Sequence, residues 1–345
     1  MTDMKIVTVV IPNFNGMKYL EGCLSSLRKQ TEQRFETILI DNGSEDGSVE
    51  YVRTHFPEVH VRAYRENTGF CHAVNDGILL AKTPYVFLLN NDTVLEETAL
   101  GALVRAMEKG GSRVFSCCSK LVSLTDPGKM DDAGDFFCAL GWAFARGKGQ
   151  SAARYDRQEA CFACCAAAAL YRREVFSQIG LFDERHFAYL EDIDVGWRAR
   201  LAGYTNLYVP GAVVRHAGSA TSGSRYNAFK VEKAARNNLY MIHKNMPPWQ
   251  LALNAPLFLT GTLIKLCWFS GKGFGRAYCS GLAQGLSMSA GISPGRGPVW
   301  SDGMKARRKK AGMPGKVQKS GGLKACMKVQ RELWLGLKPL VETWR

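Results

Sequence analysis

The chain has 345 residues, of which 46% are hydrophobic, 10% aromatic and 22% charged. This length exceeds one minimal domain, and the composition excludes wholesale disorder as well as collagen-like and coiled-coil chains. Lys and Arg number 45 against 31 Asp and Glu, a net charge of +14 that bears on partners rather than on fold.

In chain order, the first hundred residues alternate between two periods. Residues 6–11 form a β-branched run ending at Pro12, the pattern of a buried parallel strand. Residues 19–30 place Leu20, Cys23, Leu24 and Leu27 at helical spacing. Further strands are expected over 35–40, 59–64 and 85–89, and helices over 48–55, 70–80 and 96–108. Strands and helices alternating at this length mean βαβ units. The predicted class is α/β, with a mostly parallel sheet flanked by helices. Residues 114–124 read as another strand and 126–158 as a Gly-rich irregular stretch. Residues 160–171 read as one buried strand leading to a helix over 172–180.

The polar residues fall at one place in this pattern. Asn13 and Asn15 follow the first strand, Asp41 and Asn42 the second, Asn67 the third and Asp92 the fourth. Turn chemistry accounts for Asn or Asp after any single strand. Four strands ending alike imply a polar crevice along the carboxyl edge, where open parallel sheets bind ligands. Glu191, Asp192, Asp194 and Arg198 form the densest acid cluster. If Glu191 opens a helix, Asp194 and Arg198 pair on one face, and Glu191 and Asp192 sit at its N-terminus.

The crevice has no Gly-x-Gly-x-x-Gly turn, no Gly-Lys-Ser/Thr phosphate loop and no Gly-x-Ser-x-Gly elbow. Asp92 is a hard oxygen ligand suited to Mg²⁺ or Mn²⁺. Asp41 can accept hydrogen bonds from a base or ribose, which leaves Asp192 for general-base work. Group transfer from a nucleoside diphosphate needs this division of labour. The eleven cysteines are expected to be reduced thiols in a chain without a secretory signal. Cys161-x-x-Cys164-Cys165 lacks a second pair at zinc-site spacing, so no metal is expected there.

Beyond about residue 225 the character changes. Residues 249–269 are rich in Leu, Phe and Trp but are interrupted by Asn254, Pro256 and Lys265. An interfacial helix suits this pattern better than a spanning one. Residues 278–292 are weakly apolar and rich in small side chains, 293–320 read as linker, and 323–340 as a basic amphipathic helix using Leu323, Met327, Trp334 and Leu337. From Lys305 to Arg345 twelve basic residues face two acids, so this tail carries +10 of the net charge. The expected division is a catalytic domain over 1–245, an apolar helical membrane-interfacial segment over 246–292, and a basic linker and amphipathic tail over 293–345. An anionic membrane surface is the partner such a tail suits. With only Trp334 and Trp344 for stacking, no nucleic acid is expected.

Six motifs stand in order. They are Val9-Val-Ile-Pro-Asn-Phe-Asn15, Ile40-Asp-Asn-Gly-Ser44, Glu66-Asn-Thr-Gly-Phe70, Leu89-Asn-Asn-Asp-Thr93, the stretch from Gly180-Leu-Phe-Asp-Glu184 to Tyr189-Leu-Glu-Asp-Ile-Asp194, and Arg215-His216. Over about residues 5–245 the chain resembles the family 2 inverting glycosyltransferases of the GT-A fold, and most of all their rhamnosyltransferase-like branch. The resemblance implies that Pro12, Asn13, Asn15, Asp41, Asn67, Gly69, Asn75 and Asn91 bind the donor nucleotide. It implies that Asp92 and His216 hold a divalent cation, Mg²⁺ or Mn²⁺, although Asn90 supplies no second carboxylate. Asp192 matches the catalytic base, and Glu191, Asp194 and Arg198 would position the acceptor or the base. The implied partners are a nucleotide-sugar donor, dTDP-rhamnose or a UDP-hexose, and a glycan or lipid-linked glycan acceptor for cell-surface polysaccharide. The implied location is the cytoplasmic face of the inner membrane, held peripherally. Two alternatives are weaker. A sugar nucleotidyltransferase would carry a Gly-rich basic loop after the first strand. A catalytically silent membrane-bound scaffold would have lost Asp92 or Asp192, and both are present.

Overall fold

The computed structural model describes residues 4–218, 226–297, 302–312 and 322–344. Its first half runs β1 (Val7–Asn13), α1 (Met17–Arg28), β2 (Phe35–Asp41), α2 (Ser48–His55), β3 (Val59–Ala63), α3 (Phe70–Leu80), β4 (Tyr85–Leu89), β5 (Thr93–Leu95) and α4 (Ala99–Lys109). Then come β6 (Val114–Ser123), β7 (Met130–Asp132), β8 (Asp135–Cys138), β9 (Trp142–Ala145), β10 (Glu159–Cys161), β11 (Ala168–Arg172), α5 (Val175–Ile179), α6 (Glu191–Leu201) and β12 (Thr205–His216). The C-terminal third is helical: α7 (Ala228–Asn245), α8 (Pro248–Gly271), α9 (Gly275–Ser289), α10 (Asp302–Lys310), α11 (Leu323–Leu335) and α12 (Leu337–Trp344).

The main sheet has the order β10-β12-β6-β11-β4-β1-β2-β3, with β5 on β12 and β7 on β6. The β4-β1-β2-β3 half is parallel, as the alternating pattern predicts. The other half departs from it, because β11 runs antiparallel to both β4 and β6. The sheet is therefore mixed. Successive strand residues point to opposite faces and both faces are covered. Val10, Ile38, Val86 and Leu88 join one core cluster, and Val9, Leu39, Phe87 and Leu89 the other. Burial on both faces is why these strands read as continuous apolar runs.

Three expectations need correction. Residues 160–171 are two strands, β10 and β11, separated by a non-strand segment from Phe162 to Ala167. Asp135 and Ala163 form an isolated bridge there, which diverts the chain from a single strand. The linker expected over 293–320 contains α10, with 298–301 and 313–320 outside the described residues. Arg307 of α10 is ion-paired to Asp76 and Glu184. The amphipathic tail breaks at Gly336, where an added Cβ would lie 2.6 Å from the Phe137 carbonyl oxygen. The stripe that α11 buries is Cys326, Val329 and Leu333, packed with Phe137, Phe162 and Trp197. Of the predicted stripe, Leu323, Met327 and Trp334 are exposed, while Leu337 is half-buried against the core.

Candidate active site

The strand ends of the parallel half are tied together by their own side chains. Asn91 Nδ2 donates to Asn13 Oδ1 at 2.6 Å, and Asn13 Nδ2 donates to Asp41 Oδ2 at 2.8 Å. Asn42 Nδ2 donates to Asn67 Oδ1 at 2.9 Å, and Asn42 Oδ1 accepts from the Thr68 N–H at 3.0 Å. These bonds bridge the ends of β4, β1, β2 and β3. They satisfy polar groups that would otherwise be buried at a cost. Above them opens a cleft of about 690 Å³. Pro12, Asn13, Phe14, Asn42, Asn67, Phe70, Asn90, Asn91 and Asp92 line its strand-end side. Cys165, Ala166, Ala167, Phe187–Tyr189, Glu191, Asp192, His216, Asn227, Phe229 and Lys230 line the rest.

Helix α6 begins at Glu191, and the four residues before it are unusually bent. Phe187, Tyr189 and Leu190 all have positive φ (62°, 73° and 63°), a conformation that costs non-glycine residues energy and gathers at functional sites. Asn237 of α7 holds this segment. Its Nδ2 donates to the carbonyls of His186, Ala188 and Tyr189 at 3.0, 2.8 and 2.8 Å. Gly69, with φ 92°, makes room for the Phe187 ring, which a Cβ would meet at 2.6 Å. On the next turn Gly196 lets α6 lie directly on Ala163, where a Cβ would meet the Ala163 Cβ at 2.5 Å. That close approach brings Asp192 onto the 162–167 segment.

Asp192 is half-buried at the cleft wall. Its Oδ1 accepts the Ile193 N–H at 2.8 Å and its Oδ2 accepts the Ala166 N–H at 3.3 Å. Burial raises its pKa, while these donors favour the carboxylate. Its neighbours are pushed further. Burial and then the Asp192 charge raise Glu191 to about 8, and burial raises Asp132 to about 7. Asp135 is raised well above the carboxylate range by burial and the charges of Asp132 and Asp192. Asp192 is thus the member of this acid group that stays ionised most readily. A set of carboxyls with diverging proton affinities divides base from acid roles.

At the other side of the cleft, His216 ends β12. Its Nε2 lies 3.3 Å from Asp92 Oδ1, and its Nδ1 lies 2.8 Å from Asp131 Oδ2. Burial lowers the imidazole pKa, but Asp131 and Asp92 more than offset this and raise it to about 9. The Asp131 carboxylate behind Nδ1 fixes the ring so that Nε2 faces Asp92 in the cleft. One carboxylate and one imidazole, with room for diphosphate oxygens and water in the cleft, fit a hard divalent cation. The Asn90 backbone carbonyl is engaged by the Thr93 hydroxyl at 2.6 Å.

Several residues named from sequence stand elsewhere. Asn75 is fully buried, its amide clamped on the backbone of Phe182 at 2.9 and 3.0 Å, so it braces the fold and does not reach a nucleotide. Asp41 lies beneath the cleft wall, held by Asn13 and by the Ser44 N–H at 3.0 Å. Asn15 is exposed, and its Oδ1 accepts the Glu45 N–H at 3.0 Å, tying the β1 loop to the β2 loop. Asp194 and Arg198 are buried under α6, with Arg198 Nε 3.0 Å from Asp194 Oδ2. They can position the base and do not meet an acceptor. Sequence reasoning missed Asp131, Asn237, Phe229 and Lys230. The only sequence signal for Asp131 is an Asp-Asp pair inside a stretch read as irregular.

The Glycosyl transferase family 2 profile matches residues 8–180, half of the chain. N-acetylglucosaminyl-diphospho-decaprenol L-rhamnosyltransferase of Mycobacterium tuberculosis is 30% identical over 254 residues, covering 65% of this chain and 79% of that protein. Glycosyltransferase GlyG of Streptococcus pneumoniae is 32% identical over 108 residues, covering 30% of this chain and 36% of that protein. Among solved structures, GalNAc-T7 with UDP, GalNAc and Mn²⁺ superposes with a TM-score of 0.59 at 16% identity, covering 95% of this chain and 57% of that chain. The mannosyltransferase PcManGT of Pyrobaculum calidifontis, solved with GDP-Man and Mn²⁺, gives 0.53 at 16% identity, covering 99% of this chain and 84% of that chain. The fold is GT-A, and the chain belongs to glycosyl transferase family 2.

Proposed function

We propose that this glycosyltransferase moves a sugar from a nucleoside-diphosphate donor to a hydroxyl of a lipid-linked glycan, inverting the anomeric centre. The observation that carries the reading is one cleft lined by both Asp92 and Asp192. The similarity to a rhamnosyltransferase acting on a diphospho-decaprenol-linked sugar favours dTDP-rhamnose as donor, with a UDP-hexose second.

The donor's base and ribose lie over Pro12, Phe14, Asn42 and Asn67, and its diphosphate approaches Asn91 and Asp92. Asp92 and His216 would hold a divalent cation, Mg²⁺ or Mn²⁺, which supplies positive charge to the leaving diphosphate. Asp192 accepts the proton of the acceptor hydroxyl as that oxygen attacks the anomeric carbon from the face opposite the diphosphate. The C–O bond to the diphosphate breaks as the new glycosidic bond forms. The Ala166 and Ile193 amides keep Asp192 charged and aimed until the proton arrives. Glu191, held neutral beside it, adds no competing charge to the site.

The acceptor's lipid calls for a membrane surface, and α8 supports one. It is the single described helix long and apolar enough to cross a membrane, its 24 residues including an 18-residue window of mean hydropathy 1.4. Gln250 and Asn254 are buried, Asn254 accepting from Gln330 Nε2 of α11 at 2.8 Å, and the Gly261 carbonyl accepts from Trp142 Nε1 at 3.0 Å. Leu253, Leu257, Leu259, Leu263, Ile264 and Trp268 are exposed. That is the inverse of a helix on a soluble surface. In this reading α8 lies in the cytoplasmic leaflet of the inner membrane, with the basic tail against anionic headgroups.

The test is nucleoside diphosphate release from a panel of nucleotide sugars, with Mg²⁺, Mn²⁺ or EDTA and a membrane lipid extract as acceptor. Metal-dependent release from one donor, accompanied by glycosylated lipid, is the expected result. Release that is undiminished in EDTA removes the cation from the account. Donor binding without release when lipid-linked glycan is supplied removes the acceptor.

A further inference from the structure

Beneath the cleft the fold gathers three cysteines that the sugar-transfer reading does not use. Cys118 lies on β6, Cys161 ends β10, and Cys164 follows in the segment leading to β11. All three are buried, and their sulfur atoms lie within 4.8 Å of one another. The sequence showed a Cys-x-x-Cys pair with no partner pair. The third thiol comes from a strand some forty residues earlier, which spacing alone could not reveal.

We propose that Cys118, Cys161 and Cys164 form a closed three-thiolate site for a thiophilic d¹⁰ cation, Zn²⁺ or Cu⁺. Distance supports this first. A metal–sulfur bond of about 2.3 Å sets sulfur atoms about 3.8–4.0 Å apart in tetrahedral or trigonal geometry. Cys161 Sγ and Cys164 Sγ are 3.9 Å apart, far beyond a disulfide bond of about 2.05 Å. Charge is the second condition. Three thiolates leave −1 with Zn²⁺ and −2 with Cu⁺, which a buried site must balance. Two nearby arginines are each ion-paired to a carboxylate, Arg146 to Glu159 and Arg200 to Glu332. Arg200 Nη1 also donates to the Cys161 carbonyl at 2.6 Å. Arg146 is buried near Tyr155 and Tyr208, with Nη1 ion-paired to Glu159 at 2.5 Å and with Nε and Nη2 lacking a hydrogen-bond partner among the described residues. Soft thiolates select Cu⁺ or Zn²⁺ over the hard cations suited to Asp92.

The site has a structural consequence. Cys164 stands two residues before Ala166, whose N–H holds Asp192 Oδ2. A metal there would anchor the backbone that aims the base, and its presence does not depend on which sugar is transferred.

The test uses the full chain purified without oxygen and without chelators, then loaded with excess Zn²⁺ or Cu⁺ and desalted. One equivalent of one of these metals per chain is expected by elemental analysis. X-ray absorption of the bound metal should show sulfur neighbours at about 2.3 Å, a readout that needs no variant to fold. Cys118→Ser and Cys161→Ser should lose the metal, while Cys267→Ser and Cys279→Ser, both at exposed positions, should keep it. Absence of stoichiometric uptake of either metal would overturn the proposal, as would uptake unchanged in Cys118→Ser. So would a Cys161–Cys164 disulfide found by mass spectrometry in the anaerobic protein, or an absorption spectrum showing only oxygen and nitrogen neighbours.

Discussion

Lys244 Nζ lies 2.8 Å from Asp194 Oδ1, and both side chains are completely buried. The same ammonium is 2.7 Å from Asp183 Oδ2, which also accepts the Tyr240 hydroxyl at 2.9 Å. Asn245 Nδ2 donates to Asp194 Oδ1 at 2.8 Å. The end of α7 thus reaches under α6 two residues past Asp192 and fixes the helix that carries the proposed base. Burial alone would raise both carboxyl pKa values. Arg198 and Lys244 hold Asp194 far below its ordinary value, and Lys244 lowers Asp183.

Removing one partner of a buried ion pair strands the other, at about 3–5 kcal/mol. Lys244→Met should therefore lose stability of that order in urea unfolding. The pH dependence follows from the depressed carboxyls. Their stabilisation is complete above the unfolded value of about 3.9 and is lost as pH falls through the lower native values. The native protein should thus lose more stability between neutral and acid pH than Lys244→Met does. Equal acid sensitivity of the two proteins would contradict this.

Asp192→Asn should lower kcat by about 10²–10⁴-fold, the usual contribution of a positioned general base. The groups that interact with it are Glu191, Asp135, Cys165 and Tyr171. Because burial raises Asp192, activity should fall on the acid side at a pH above that of an ordinary Asp. In Glu191→Gln that acid limb should stay in place, since Glu191 is already neutral there. A shift of the limb to lower pH in Glu191→Gln would mean the two carboxyls share the ionisation.

Asn237 should matter through geometry. Asn237→Asp replaces the amide donor with acceptors facing three carbonyls, so it should be more damaging than Asn237→Ala. Loss of a hydrogen-bonded buried group costs about 1–3 kcal/mol. The expected kinetic pattern is a lower kcat with donor affinity little changed, read from initial rates and donor titration. A loss confined to donor affinity would instead place Asn237 in nucleotide binding.

Asp131 touches His216 from behind. Such outer partners typically govern about 10–100-fold of metal affinity or activity. Asp131→Asn should raise the Mn²⁺ concentration giving half-maximal activity by that factor, with maximal rate largely restored at high Mn²⁺. An unchanged Mn²⁺ requirement would leave His216–Asp131 as a structural pair.

The exposed leucines of α8 should govern membrane attachment. Leu259→Glu combined with Leu263→Glu should lower flotation with anionic vesicles while leaving the unfolding midpoint nearly unchanged, because both residues are exposed. Point substitutions are needed here, since Cys326, Val329 and Leu333 belong to the core around Trp197 and truncation would open it. Undiminished flotation would move the attachment to the basic tail.

The parallel half of the fold was legible because its strands are buried on both faces and its helices carry one apolar stripe. The start of α6 at Glu191 was legible from its acidic first turn. What escaped depended on partners distant in sequence. Asn75 shares the chemistry of Asn13, yet its amide is consumed by Phe182, 107 residues later. The sequence set Asp192 apart from Asp194 and paired Asp194 with Arg198, but it could not show Lys244, which draws Asp194 beneath the helix. The α11 stripe was misread because Leu323, Met327 and Trp334 are apolar too, and only docking on Phe137 and Trp197 selects Cys326, Val329 and Leu333 instead. Residues 126–158 were opaque because short strands such as β7, which carries Asp131, leave little periodic signal.

The most direct test of the account compares wild type with Asp192→Asn, using the donor found in the panel. Donor affinity is measured by calorimetry, and single-turnover transfer is followed on saturating lipid-linked acceptor. The account predicts donor binding within about twofold and transfer lowered by about 10²–10⁴-fold. Transfer at the wild-type rate by a variant that binds donor normally would contradict it and move the base away from Asp192.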